Sequence, residues 1–198
     1  ALRTRSMEAG RDWVHLRNHC VPLDGQDLLI LGFAAIGERL VDLLRPYPLH
    51  ITAYRRTPAD RPDVCMIHRP ADLQAALGKA DHILNILPDS PHTRHFFDTA
   101  RFQACKPGAV FYNIGRGTTV DQSALLHALD HGPLSAAWLD VTDPEPLPDA
   151  HPLTRHPRVY LTPHIAGGHA TESLTLVRHF LHNLQQFLTG APLRDQVI

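Results

Sequence analysis

The chain has 198 residues, enough for one good core, and its 43% apolar and 20% charged content is that of a globular domain rather than a disordered segment. A net charge of −1 argues against a nucleic-acid surface, which needs clustered Lys and Arg. The longest apolar stretch, 28–37, is too short to cross a bilayer, and Arg3, Arg5 and Arg11 precede no apolar segment of the signal-peptide kind.

Taken in chain order, short β-like runs alternate with helical patterns. The expected elements are a strand at 28–31, a helix at 36–44, strands at 50–54 and near 64–68, a helix at 71–80 and a strand at 83–87. A helix follows around 99–105, then a strand at 109–114, a helix at 122–131, strands at 135–141 and 159–162, and a long closing helix at 171–189. The proline cluster at 144–152 reads as a rigid loop. This alternation implies βαβ units, and hence an α/β fold: a Rossmann-type doubly wound parallel sheet with helices on both faces. Ligands of such sheets lie beyond the carboxyl ends of the strands, so the residues just after Leu31, Tyr54, Leu87, Ile114, Val141 and Thr162 are expected to converge.

Three widely spaced cysteines, Cys20, Cys65 and Cys105, suit a reducing cytoplasm without a disulfide framework. Fifteen histidines raise the question of a metal site. There is no H-E-x-x-H and no close Cys/His cluster, so none is expected.

The first strand end resembles a phosphate-binding turn with one residue changed. Gly32 allows the tight turn and Gly37 close packing, while Ala34, Ala35 and Ile36 lie between them at the start of a helix, whose free N–H groups suit a pyrophosphate. The usual middle glycine is Ala34, whose Cβ intrudes on that approach. After Tyr54, where NAD sites place a carboxylate for the ribose 2′-OH, stand Arg55, Arg56 and Thr57. Guanidinium groups and a hydroxyl suit a 2′-phosphate, so NADP(H) is favoured over NAD(H), although an Arg-rich solvated turn has the same sequence. Later strand ends bring Arg116 between two glycines, Asp140, Glu145 between two prolines, and His164 ahead of the pair Gly167–Gly168. An Arg, a Glu and a His at three successive strand ends are more than unrelated surface-loop residues would supply by chance.

These stretches together resemble the D-isomer-specific 2-hydroxyacid dehydrogenases. The resemblance is carried by "GRGTTVDQSALLHAL", "AAWLDVTDPEPLP", "HPRVYLTPHIAGG" and "FLTGAPLRDQV", and it runs from about Arg11 to the end. The stretch "ILNILPDSPHTRHFF" is most similar to the glyoxylate/hydroxypyruvate reductase branch. The resemblance implies an oxidoreductase that moves a hydride between NADP(H) or NAD(H) and a small 2-oxo or 2-hydroxy acid. It makes Arg116 the substrate-binding arginine, His164 the proton donor and Glu145 the carboxylate paired with it. Asp140 is placed near the nicotinamide carboxamide, and Leu87, Pro88, Thr93, Ile114 and Gly115 line the cofactor cleft. His164 and Gly167 border the same cleft. It further implies a homodimer acting on a small acid; the cytoplasmic setting and the lack of a nucleic-acid or membrane partner are expected from the cysteines, charge and apolar runs above.

By the same resemblance, residues 1–24 are a linking helix and entry segment, 25–190 the dinucleotide-binding domain, and 191–198 a return toward a substrate domain outside this sequence. The chain therefore reads as a fragment, weakly active or inactive alone, with a natural short form as the alternative. A nucleotide-sensing protein of corepressor type, or a cofactor domain degraded at Ala34, fits the same residues.

Overall fold

The structure is a computed structural model that describes residues 21–57, 61–168 and 171–195. The expected linking helix at 1–24 falls almost wholly outside them, and 21–24 lead into the first strand without helix. By packing, the chain divides into two units, Ala1–Pro163 and His164–Ile198.

In the first unit, seven strands form one parallel sheet. They are β1 (Asp27–Leu31), β2 (His50–Tyr54), β3 (Cys65–Ile67), β4 (His82–Asn85), β5 (Val110–Asn113), β6 (Ala136–Leu139) and β7 (Val159–Leu161), in the spatial order β3-β2-β1-β4-β5-β6-β7. Between them run α1 (Ala35–Leu44), α2 (Pro70–Leu77), α3 (Thr99–Gln103), α4 (Gln122–Asp130) and α5 (Pro152–Arg155). Strand order reverses between β1 and β4, which places the ligand crevice at their carboxyl ends.

Strands buried on both faces need apolar residues at successive positions, and β1 supplies Leu28, Leu29, Ile30 and Leu31, all buried. Leu29, Leu31, Ile83, Phe111, Ala137 and Leu139 pack with Leu73, Leu77, Phe97, Phe102, Leu125 and Leu153. On the opposite face Leu28, Ile30, Ala53 and Leu84 pack with Phe33 and Val41. Burial pushes the Cys105 thiol up to about 12, so it is an inert core group, whereas Cys65 is exposed.

The elements expected from 28 onward are all present; β1 starts one residue earlier, β2 is as expected, and the other strands are shorter. The β4 strand stops at Asn85 rather than Leu87 because the Leu87 N–H turns to the Asn85 side chain at 3.2 Å. Likewise β5 stops at Asn113, whose side-chain oxygen takes the Gly115 N–H at 3.1 Å. Two short elements went unforeseen: a 3₁₀ turn at Gly117–Thr119, and α5, which starts inside the proline-rich loop with Pro152 in its first turn and His151 capping it.

The second unit holds one helix, α6 (Glu172–Thr189), ended by Gly190 in the left-handed conformation at φ +70°. Asn183 fastens the following segment through both its amide groups to Arg194, at 2.9 and 3.1 Å. Among the described residues no helix is long and apolar enough to cross a membrane.

Candidate cofactor and substrate site

The turn after β1 is shaped by two glycines with different tasks. Gly32 has φ +88°, and a Cβ there would lie 3.0 Å from the Ile86 carbonyl, so the β1 and β4 ends can meet only at a glycine. A Cβ on Gly37 would lie 2.9 Å from the buried Phe33 ring, so this glycine makes room for Phe33 rather than for the sheet backbone. Ala34 is the N-cap of α1 in extended conformation, and its side chain cannot cap. The first intrahelical bond is Glu38 N–H to Ala34 O at 2.9 Å, which leaves the amides of Ala35, Ile36 and Gly37 without an intrahelical acceptor. Ala34, Ala35 and Ile36 are exposed. Uncapped amides at an exposed helix start beside a tight glycine turn fit a pyrophosphate.

At the β2 end, the Arg55 N–H donates to Ile67 O at 3.1 Å, which fixes the corner beside β3. Neighbouring arginines are neutralised within the fold. Arg61 bonds Asp63 at 2.8 Å and Asp42 at 2.7 Å, and Arg69 holds Asp72 bidentately at 2.7 Å. These guanidinium groups hold Asp42 and Asp72 below the usual carboxylate range. Arg55 and Arg56 have no such carboxylate among the described residues. Thr57, exposed beside them, adds a hydroxyl.

The loop after β4 is laced to itself and to β5. Leu87 is buried and Pro88 exposed. The Thr93 hydroxyl donates to Pro88 O at 2.6 Å, the Thr118 hydroxyl donates to Asp89 at 2.7 Å, and the His95 N–H donates to Thr118 O at 2.8 Å. Past β5, Ile114 is half-buried and Gly115 lies so close to this loop that a Cβ would sit 2.6 Å from Leu87 O. Arg116 is exposed, with one guanidinium nitrogen donating to Gly115 O at 2.6 Å. Gly117 is pressed still harder: its Cβ would fall 2.0 Å from the Thr142 carbonyl.

After β6, Asp140 is buried and accepts the Thr162 hydroxyl, while its N–H donates to Asn113 O at 2.9 Å. Gln122 clamps the next loop, donating to Asp143 O at 2.5 Å and accepting from Asp143 N–H at 3.2 Å. Glu145 follows, exposed, on the wall of a cleft of about 620 Å³ that Asp140, Thr142, Leu147, Leu161 and Thr162 also line. His164 and Gly167 open the second unit, and His164 has φ +52°, the left-handed region that favours glycine.

Within the first unit, the carboxyl ends of β1, β4, β5 and β6 thus bring Gly32, Leu87, Gly115, Arg116 and Asp140 to neighbouring positions on one edge of the sheet. Sequence reasoning missed Asn85, Asn113, Thr119 and Gln122, which hold those loops. The available signal was an asparagine closing each of two apolar strands, "ILN" and "FYN".

Comparison with known proteins agrees with this geometry. The profile of the D-isomer specific 2-hydroxyacid dehydrogenase NAD binding domain matches residues 2–166. Glyoxylate/hydroxypyruvate reductase A of Photorhabdus laumondii is 34% identical over 159 residues, covering 79% of this chain and 50% of that protein. The same-named protein of Serratia proteamaculans is 34% identical over 161 residues, covering 81% of this chain and 51% of its own. The NADPH-dependent glyoxylate/hydroxypyruvate reductase of Sinorhizobium meliloti, solved in complex with NADP and sulfate, superposes with a TM-score of 0.83 at 28% identity, covering 94% of this chain and 62% of that one. The chain spans about half the length of these curated relatives. It belongs to the D-isomer specific 2-hydroxyacid dehydrogenase family, by that family's NAD binding domain.

Proposed function

We propose that this chain is the cofactor domain, over 25–190, of a reductase that moves a hydride between NADP(H) and a small 2-oxo acid of the glyoxylate or hydroxypyruvate class. The observation that carries the reading is Arg116, exposed between two glycines that are pressed against neighbouring loops, at a strand end beside the crevice. Such a guanidinium binds a carboxylate bidentately and polarises the adjacent carbonyl. His164 delivers the proton to the developing alkoxide and Glu145 is its acidic partner, roles that rest on their sequence positions. The nicotinamide supplies the hydride when bound. Residues 32–37 take its pyrophosphate, Arg55, Arg56 and Thr57 its 2′-phosphate, and Asp140 the carboxamide. Leu87, Pro88, Thr93, Ile114, Gly115 and Gly167 line the cleft. Arg55 and Arg56, without a carboxylate partner among the described residues, support NADP(H) over NAD(H), as does the NADPH dependence of the Sinorhizobium relative. Substrate closure by a second domain, a homodimer and a cytoplasmic setting belong to the same reading.

The test is calorimetric titration of this chain with NADPH and NADH at matched salt, alongside an Arg55→Asp variant. A clear NADPH preference that Arg55→Asp removes is expected. Equal affinity for both cofactors, or no binding of either, overturns the NADP reading.

A further inference from the structure

In the register across the sheet, Leu31 faces Asn85, Asn85 faces Asn113, and Asn113 faces Leu139. Two amides therefore occupy a row whose flanking positions are leucine, and both are essentially inaccessible, as is Thr119 beneath them. Burying such groups is unfavourable unless each finds its partners. Their orientations are settled by two backbone donors. Leu87 N–H must give its proton to Asn85 Oδ1 at 3.2 Å, and Gly115 N–H to Asn113 Oδ1 at 3.1 Å. The remaining bonds then run in one direction. Asn85 Nδ2 donates to Asn113 Oδ1 at 3.0 Å and to Thr119 Oγ1 at 2.7 Å. Thr119 Oγ1 passes its own proton to Arg116 O at 2.6 Å, and Asn113 Nδ2 reaches the same carbonyl at 3.2 Å. The Thr119 N–H also bonds it, at 3.2 Å.

Everything in this network ends on one atom, the main-chain oxygen of Arg116. Arg116 is exposed while Gly117 after it is buried, and the network's donors converge on the carbonyl between them. Leucines in the row would fill the same space without polar groups, but would leave the Leu87 and Gly115 amides without these acceptors and take one of three donors from the Arg116 carbonyl.

We propose that Thr119 and Asn113, braced by Asn85, are positioning residues that fix the backbone of Arg116 and so aim its guanidinium at the substrate carboxylate. This rests on the reading of Arg116 as the substrate anchor. Leu87 and Gly115, at the floor of the cofactor cleft, are held by the side-chain oxygens of Asn85 and Asn113, bonds in which the Thr119 hydroxyl takes no part.

Thr119→Val keeps the shape and removes the hydroxyl, while Thr119→Ser keeps the hydroxyl. Leu77→Ala serves as a core truncation away from the network. The expected result by ¹⁵N relaxation of the chain is that the Arg116 and Gly117 amide order parameters fall from about 0.85 to below about 0.6 in Thr119→Val. They stay rigid in Thr119→Ser and in Leu77→Ala. In the NADPH-loaded chain, Thr119→Val weakens binding of oxamate, a 2-oxo acid isostere, by about tenfold and leaves NADPH affinity within about twofold. Unchanged order in Thr119→Val, or equal loss in Leu77→Ala, overturns the proposal. Should Thr119→Val not fold, Asn85→Ala withdraws the brace and has to loosen the same two amides. Failure of the wild-type chain to bind NADPH sinks the cofactor reading instead, while the order parameters still decide the positioning.

Discussion

Gly117→Ala is the sharpest perturbation of the packing around Arg116. The added methyl would lie 2.0 Å from both the carbon and the oxygen of the Thr142 carbonyl and 2.6 Å from Asp143 N, where ordinary contact begins at 3.4 Å. Relief requires the backbone of 142–143 to retreat by more than an ångström. That retreat is opposed by Gln122, which grips Asp143 at both its N–H and its carbonyl, and Gln122 sits in the first turn of α4 behind the Asp121 cap. Overpacking costs 1–3 kcal/mol where side chains can adjust, and here only backbone can move, so the upper end, about 3 kcal/mol, is expected. For a chain of this size that corresponds to a fall in Tm of roughly 6–12 °C. Thermal and urea unfolding of Gly117→Ala against Gly78→Ala is the assay. Gly78 has a right-handed cap conformation and only ordinary contacts from 3.5 Å, so alanine there is expected to stabilise by about 0.4–1 kcal/mol through the unfolded state. A loss below about 1 kcal/mol in Gly117→Ala would refute the claim that the Arg116 turn and the Glu145 loop are locked together.

Two further outcomes follow from the same physics. Ala34→Gly removes the N-cap methyl at the proposed pyrophosphate turn, and is expected to tighten NADPH binding by roughly 1–2 kcal/mol; calorimetry giving an unchanged or weaker Kd would discard the steric argument. His82 is half-buried between Tyr112 and Gln26, and burial lowers its pKa from 6.5 against a smaller opposing pull from Asp81. The unfolded chain therefore takes up a proton before the folded one, so this contribution to stability is full above about pH 6.5 and is lost as pH falls through the folded pKa. His82→Gln is expected to flatten the fall of Tm between pH 7 and 5 relative to wild type, and parallel curves would deny the effect.

Sequence alone determined the fold class because the alternation of four-residue apolar runs with helical periods is a local property, and a parallel sheet has few ways to join such units. The strand ends were legible for the same reason: Gly32 and Asp140 directly follow an apolar run, and Leu87, Gly115 and Arg116 lie two or three residues past a strand. Ala34 was legible as a departure from a spacing, but its extended N-cap conformation and exposure were not. Tertiary structure decided what distance along the chain conceals. Arg61 and Arg69 have Asp63 and Asp72 two and three residues on, and only the fold adds Asp42 to Arg61. Asn85 and Thr119 are 34 residues apart, yet their bond exists because β4 and β5 are neighbours and the 3₁₀ turn folds back beneath them. Hydrogen bonds between distant loops leave no periodic trace in a sequence, because their partners are set by which strand lies next to which.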